Sequence, residues 1–178
     1  MSDPTSGDIE IRGYRLSPVY GRVGKALADE IVAMWLAAGV LPADEARRRV
    51  GEVVIAIRNP DGEVAGVNTV YVRQAPGGSG AWYFYRTFVR PADRGTPGVT
   101  SGALRAAIAV LREHPHPEAP RGIVVVVENP KLSKQGPMRR LERLGFHLIG
   151  RDAEDRDVWC LRFDGTVPLA PQGLLRPL

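Results

Sequence analysis

The sequence predicts a single α/β domain, in which a central mixed sheet is flanked by helices. Strand-like runs rich in β-branched and aromatic residues alternate with segments of helical periodicity along the 178 residues. Short stretches of glycine, proline and asparagine separate these segments, and no internal repeat or long linker divides them. The length suits one domain with a full-sized core. We therefore expect one domain over residues 9–164, after a disordered lead-in (1–8) and before a C-terminal tail (165–178).

The first part of the chain predicts one strand and two helices. Alternating apolar residues over 9–16 favour the strand. Apolar residues at helical spacing over 24–38, followed directly by a glycine, predict an amphipathic helix. Pro42 then opens a second, shorter helix through Arg49, because proline is favoured in the first helical turn.

Three strands are predicted next. Residues 53–57 and 64–72 form a hairpin, since Asn59-Pro60-Asp61-Gly62 between them has strong turn chemistry. The aromatic run 81–89 follows a glycine-rich loop over 74–80. Along this strand Tyr83, Tyr85 and Thr87 share one face, because side chains alternate across a sheet.

The rest of the chain alternates again between helix and strand. The predicted elements are a helix over 100–112 with Thr100 or Ser101 as N-cap, a buried strand over 123–127, a helix opened by Pro137 and closed by Gly145, and a terminal hairpin of 146–149 with 158–163. The predicted order is thus β-α-α-β-β-β-α-β-α-β-β.

The composition narrows the function classes. Lys+Arg outnumber Asp+Glu by 24 to 20, but the basic residues are spread along the chain. This surplus gives only weak support to a nucleic-acid interface, and a site for a small polyanionic ligand fits it equally well. The single cysteine, Cys160, excludes an intrachain disulfide. The polar N-terminus lacks a signal pattern, and no apolar run approaches the roughly 20 residues that span a bilayer. We expect a cytoplasmic protein without a membrane partner.

The most informative segment runs from the end of the aromatic strand into the next helix. Arg94-Gly95-Thr96-Pro97-Gly98 stands between them. Glycines let backbone N–H groups approach an anion, and the unpaired donors and dipole of a helix N-terminus favour negative charge. This arrangement predicts a site for a phosphate group.

Three short motifs, in order, resemble the GNAT acetyltransferase superfamily over residues 9–163. Val89-Arg90-Pro91-Ala92-Asp93-Arg94-Gly95 is similar to the segment that leads into the family's pyrophosphate loop. Glu128-Asn129-Pro130 after a β-branched strand is similar to its "N-P" element, and Leu141-Glu142-Arg143-Leu144-Gly145-Phe146 to its "E-x-L-G-F" helix end. The loop has one extra residue, Pro97, and the position of the family's tyrosine acid is Leu141.

The resemblance implies that two parallel central strands, 81–89 and 123–128, splay apart and pair with the pantetheine arm of coenzyme A. Acetyl-CoA is then the acyl donor, its pyrophosphate lies on the loop, and backbone N–H groups near Phe88 and Val89 polarise its carbonyl. The implied cofactor-binding residues are Phe88, Val89, Arg94, Gly95, Thr96, Gly98, Val99, Thr100 and Asn129. Arg94 either pairs with a phosphate or is simply an arginine on the loop surface. Asn129 either contacts the cofactor or only caps or turns the chain.

Two residues are candidates for moving the proton of the acceptor amine. Tyr83 lies nearest to where the family's base projects, although packing or lining the acceptor pocket is the alternative for Tyr83 and Tyr85. Glu128 ends a buried strand, where it either contacts the amine or is simply solvated. His114 and His116 lack the further ligands that a metal site needs.

The resemblance therefore implies an N-acetyltransferase that acts on a small-molecule or peptide amine. The alternative is a catalytically silent acetyltransferase-like module that binds coenzyme A or a protein partner. A third hypothesis, binding of RNA or DNA through scattered arginines, predicts affinity that falls steeply with salt. The 74–80 loop and the 165–178 tail are candidates for shaping the acceptor pocket or a homodimer contact.

Overall fold

The computed structural model describes residues 7–74, 80–128 and 135–167, with only the backbone described for 135–137. The strands are β1 (Ile9–Ile11), β2 (Tyr14–Pro18), β3 (Val53–Arg58), β4 (Val64–Gln74), β5 (Ala81–Val89), β6 (Gly122–Val126), β7 (His147–Arg151) and β8 (Asp157–Arg162). The helices are α1 (Lys25–Ala37), α2 (Ala43–Arg49), α3 (Val99–Glu113) and α4 (Gln135–Arg143). Most of the predicted lead-in and tail lies outside the described residues.

The strands form one eight-stranded sheet in the order β1-β2-β3-β4-β5-β6-β8-β7. β5 and β6 run parallel, with Tyr83 opposite Ile123 and Tyr85 opposite Val125. β6 pairs antiparallel with β8, so the sheet is mixed. β5 continues to Val89, beyond the last residue that pairs with β6. The prediction of a mixed α/β fold with a parallel central pair is confirmed.

The first predicted strand is in fact a tight hairpin. β1 and β2 pair antiparallel around a two-residue turn at Arg12 and Gly13, whose φ angles are +52° and +81°. Turns of this kind need positive φ at both central residues and therefore favour asparagine, aspartate or glycine at the first of them. Because that position is an arginine here, the sequence does not predict the turn. The remaining elements lie within a few residues of their predicted bounds.

The chain divides into two compact units. Unit 1 comprises Met1–Val70 and Thr87–Glu113, and its core packs α1 and α2 against β3 and β4. The buried members of this core are Ile31, Met34, Trp35, Ala46, Val53, Val64 and Val67. Phe88 packs against the same cluster, so its side chain lies on the face of the sheet that α1 and α2 cover.

Unit 2 comprises Tyr71–Arg86 and His114–Leu178. A cluster on its strands consists of Trp82, Phe84, Val124, Val158 and Cys160. Tyr71 stacks on Phe84 with ring centres 5.2 Å apart. Among the helices in the described part of the chain, none is long and apolar enough to cross a membrane.

Candidate functional site

In unit 1, the end of β5 is joined to α3 by a 3-10 turn (Pro91–Asp93) and by residues 94–98, which we name the glycine loop. Gly95 and Gly98 have φ angles of +94° and +91°. Residues with a Cβ are strained in this region and glycine is not, so the path of the loop requires both glycines. The loop delivers the chain to the N-terminus of a 15-residue helix.

Helix α3 begins at Val99, and the prediction of Thr100 or Ser101 as its N-cap is wrong. The N–H of Gly102 donates to the carbonyl oxygen of Gly98 at 2.7 Å, so the helical bonds start from Gly98. The Ser101 hydroxyl donates to the same oxygen at 3.3 Å. Because Gly98 at positive φ turns the chain directly into the helix, Thr100 and Ser101 lie inside the first turn. The N–H groups of a first turn have no acceptor within their own helix and attract anions.

Arg94 folds back over the end of β5. Its Nε donates to the carbonyl oxygen of Val89 at 2.8 Å, and its Cζ lies 6.0 Å from the centre of the Phe88 ring. The guanidinium therefore places a permanent positive charge at the start of the glycine loop. The predicted contact residues that lie together in this part of unit 1 are Phe88, Val89, Arg94, Gly95, Thr96, Gly98, Val99 and Thr100.

A buried carboxylate, which the sequence analysis missed, anchors the turn before the glycine loop. Asp93 is only 7% exposed and accepts hydrogen bonds from the Tyr14 hydroxyl at 3.0 Å and from Arg90 Nε at 2.8 Å. Arg90 also donates to Glu63 at 3.0 Å, and its pKa is raised first by Asp93 and then by Glu63. These bonds fix the turn to β2 and to Glu63, the residue before β4. No local sequence pattern predicts a hydrogen bond between Tyr14 and Asp93, which are 79 residues apart.

The last residues of β5 lie very close to Gly66 of β4. A Cβ on Gly66 would stand 2.5 Å from the carbonyl oxygen of Phe88 and 3.1 Å from the Cα of Val89. The N–H of Arg90 donates to Ala65 at 2.8 Å. Glycine in a strand often marks such a close backbone approach. Gly66 thus determines where the backbone of Phe88 and Val89 lies, and these residues carry the N–H groups predicted to polarise a carbonyl.

A second pair that the sequence analysis missed joins the same two strands. Asn68 of β4 is fully buried, whereas Thr87 of β5 is exposed. The Thr87 hydroxyl donates to Oδ1 of Asn68 at 2.8 Å. Asn68 could have been singled out, because asparagine is depleted in strand interiors and this one follows the apolar run from Val64 to Val67.

Tyr83 belongs to unit 2 and is fully buried. Its hydroxyl accepts a hydrogen bond from the His116 N–H at 2.7 Å, and its ring centre lies 6.2 Å from that of Phe163. Tyr85, two residues further along β5, is 7% exposed. These contacts support the packing alternative for Tyr83, while its direct part in proton transfer stays a prediction.

Glu128, also in unit 2, is exposed and is the last residue described before 129–134. Its charge is a minor cause of the raised pKa of Arg156, after the hydrogen bond from Arg156 to Asp152. The predicted contact of Asn129 lies outside the described residues. Over the described ranges, no three His, Cys, Asp or Glu side chains form a group that could hold a metal ion.

No protein-family model and no curated protein matches the chain in sequence. In structure, it matches the GNAT domain of PAT from S. lividans with a TM-score of 0.64 and 17% identity, over 92% of this chain and 99% of that one. It matches Arabidopsis thaliana NAA60 in complex with acetyl-CoA with a TM-score of 0.58 and 15% identity, over 85% and 99% of the two chains.

A third solved structure is a GNAT family acetyltransferase from Brucella melitensis, also in complex with acetyl-CoA. Its TM-score is 0.53 at 20% identity, over 88% of this chain and 92% of that one. The three matches cover 92–99% of each neighbour's own length. The chain therefore has the fold of the GNAT acetyltransferases.

Proposed function

We propose that this protein is an acyl-CoA-dependent N-acyltransferase, which moves an acetyl or related acyl group from coenzyme A to a primary amine. The observation that carries the proposal is the glycine loop, in which Gly95 and Gly98 have positive φ and lead directly into α3. The loop belongs to a fold that is shared with two proteins solved in complex with acetyl-CoA, one of them a GNAT family acetyltransferase.

The chemistry of the glycine loop fits a pyrophosphate. Its glycines expose backbone N–H groups, the first turn of α3 adds donors and a positive dipole end, and Arg94 adds a full charge. Because Nε of Arg94 is already bonded to Val89, its two Nη groups are the part that would face a phosphate oxygen. The residues proposed to bind the donor are Phe88, Val89, Arg94, Gly95, Thr96, Gly98, Val99, Thr100 and Asn129.

Acetyl-CoA supplies an acyl group activated as a thioester. The contribution of this chain is to hold the thioester carbonyl against the N–H groups of Phe88 and Val89, where developing negative charge is stabilised. This role needs a rigid backbone more than a particular side chain. Two observations support it: the absence of a Cβ on Gly66 lets the backbone of Phe88 and Val89 lie close to β4, and the Arg90 N–H donates to the carbonyl oxygen of Ala65 at 2.8 Å.

The acceptor amine must lose a proton, and Glu128 is our first candidate for taking it. Its carboxylate is exposed, so it can accept a proton and pass it to water. Tyr83 is the second candidate, although its hydroxyl already accepts the His116 N–H. Leu141 cannot protonate the leaving thiolate, so we propose that water does so.

Two assays test the proposal. Acetyl-CoA at about 100 times its Kd should stabilise the protein by roughly 2.7 kcal/mol, visible as a higher Tm. Release of the coenzyme A thiol is then measured with a panel of primary amines, from n-butylamine to a peptide with a free α-amino group. No Tm shift at saturating acetyl-CoA would contradict donor binding. No thiol release above the amine-free rate would contradict catalysis.

The second candidate is a module that binds coenzyme A without catalysing transfer. Leu141 at the position of the family's tyrosine acid and the buried Tyr83 both favour it. This alternative predicts a Tm shift with acetyl-CoA but no thiol release with any amine of the panel. Glu128→Gln is the matched variant, because it abolishes base catalysis by Glu128 and leaves donor binding intact.

A further inference from the structure

The pair formed by Asn68 and Thr87 has no part in the donor site, yet its geometry is unusual. Asn68 is fully buried, and its Nδ2 has no hydrogen-bond partner among the residues that the structure describes. An unpaired buried amide is destabilising, whereas an apolar side chain at the same point would carry no such penalty. Packing alone therefore does not account for an asparagine at this position.

The two side chains share one face of the sheet, opposite to the core of α1 and α2. Val67 and Phe88 both pack into that core. Asn68 follows Val67 in β4, and Thr87 precedes Phe88 in β5. Because side chains alternate along a strand, Asn68 and Thr87 point to the other face. Thr87 thus immediately precedes Phe88, whose backbone is proposed to hold the reactive carbonyl.

The hydrogen bond between them sets the polarity of the exposed hydroxyl. Thr87 donates its one hydroxyl proton to Oδ1 of Asn68 at 2.8 Å. A hydroxyl that has donated its proton keeps only lone pairs for other partners. The exposed oxygen of Thr87 is therefore an acceptor, and a ligand that bonds to it must present an N–H or O–H group.

We propose that the Thr87 hydroxyl oxygen binds the acceptor amine by accepting a hydrogen bond from one of its N–H groups. Asn68 is then a positioning residue, which keeps the Thr87 hydroxyl in the orientation that this role requires. The inference rests on the proposed function, since acyl transfer identifies the N–H donor beside this carbonyl as the amine. A thioester has no N–H or O–H of its own, so the reacting end of the donor cannot make this bond.

Equilibrium binding of the same amine panel, measured by calorimetry in the presence of saturating coenzyme A, tests the inference without requiring turnover. Thr87→Val keeps the shape of an exposed side chain and removes the hydroxyl. It should raise the Kd of the amine by roughly threefold to tenfold, the effect of one hydrogen bond, and leave the Kd of coenzyme A within about twofold. Thr87→Ser keeps the hydroxyl and should restore amine binding.

Asn68→Leu separates positioning from folding. It should weaken amine binding as Thr87→Val does, while the Tm stays the same or rises because the unpaired amide is gone. Thr166→Val is the matched control, since Thr166 is also exposed and donates to a side-chain oxygen, that of Asp164, at 2.7 Å. It should bind the amine like the wild type.

The inference is overturned if Thr87→Val binds the amine as tightly as the wild type, or if no amine of the panel binds the wild type. Failure of the proposed function gives a different result. Amine binding that depends on Thr87, without any thiol release, leaves the inference standing and contradicts acyl transfer. Thiol release with an affinity that does not depend on Thr87 does the reverse.

Discussion

The substitution Gly66→Ala tests whether the backbone at the end of β5 controls catalysis. The new Cβ would stand 2.5 Å from the carbonyl oxygen of Phe88, about 0.9 Å short of the 3.4 Å at which ordinary contact begins. It would also stand 3.1 Å from both Cα and Cγ2 of Val89. Since two of these three atoms belong to the backbone, the clash cannot be relieved by turning a flexible side chain.

The expected effects on stability and on rate are both sizeable. Overpacking in a well-packed region costs about 1–3 kcal/mol, so the free energy of unfolding should fall by that amount. Relief of the clash must move Phe88 by the better part of an ångström. A displacement near 1 Å at a reacting group can cost roughly 100-fold in rate, so kcat/KM should fall by about 10-fold to 100-fold.

Urea denaturation and steady-state thiol release measure these two quantities. Gly51→Ala is the matched control, because nothing lies within 4 Å of a Cβ on Gly51 and its φ is ordinary. This control should stay within about 0.5 kcal/mol of the wild type and keep its kcat/KM. If Gly66→Ala behaves like Gly51→Ala in both assays, the backbone of Phe88 and Val89 does not hold the reactive carbonyl.

Three further predictions concern the anchor of the turn, the glycine loop and the buried thiol. Asp93→Ala leaves the Tyr14 hydroxyl and Arg90 Nε without their acceptor and should lower the free energy of unfolding by about 2–4 kcal/mol in urea. Glu63→Ala removes the exposed ion pair with Arg90 and a hydrogen bond of 3.4 Å from Asn59 Nδ2, and it should cost less than about 1 kcal/mol. Gly98→Ala puts a Cβ at φ +91° and should weaken acetyl-CoA binding in calorimetry by roughly tenfold, a conformational cost of about 1–2 kcal/mol; an unchanged Kd would show that the donor does not use this loop. Burial raises the pKa of the Cys160 thiol from 9.0 to about 12, so stability linked to this thiol is complete below pH 9 and is lost as the pH rises toward 12. Cys160→Ala should flatten the pH dependence of unfolding in that range, and a thiol reagent at pH 8 should modify the wild type only after denaturation; rapid labelling of the native protein would contradict the burial.

Most of the fold could be predicted because its signals are local. The unbroken β-branched run of β6, the aromatic run of β5 and the turn Asn59–Gly62 each depend on a few neighbouring residues. The hairpin at Arg12 was not predictable in the same way, since its positive φ is imposed by the pairing of β1 with β2. Likewise, the start of α3 depends on the backbone of Gly98 and not on a capping side chain.

Only part of the candidate site could be predicted from the sequence. The composition of the glycine loop predicts it, but the hydrogen bonds around it join residues from distant parts of the chain. Tyr14 and Asp93 are 79 residues apart, and Asn68 and Thr87 are 19 residues apart. Such pairs depend on strand register, which single residues do not encode. The close approach of Phe88 to Gly66 depends on the absence of a side chain at position 66.

The central claim is that the glycine loop binds the pyrophosphate of an acyl-CoA. A crystal structure of the complex with coenzyme A tests it most directly. We expect pyrophosphate oxygens within hydrogen-bonding distance of backbone N–H groups between Gly95 and Thr100, at the start of α3. Coenzyme A bound elsewhere, or no density for it over residues 89–100 at a saturating concentration, would contradict the claim.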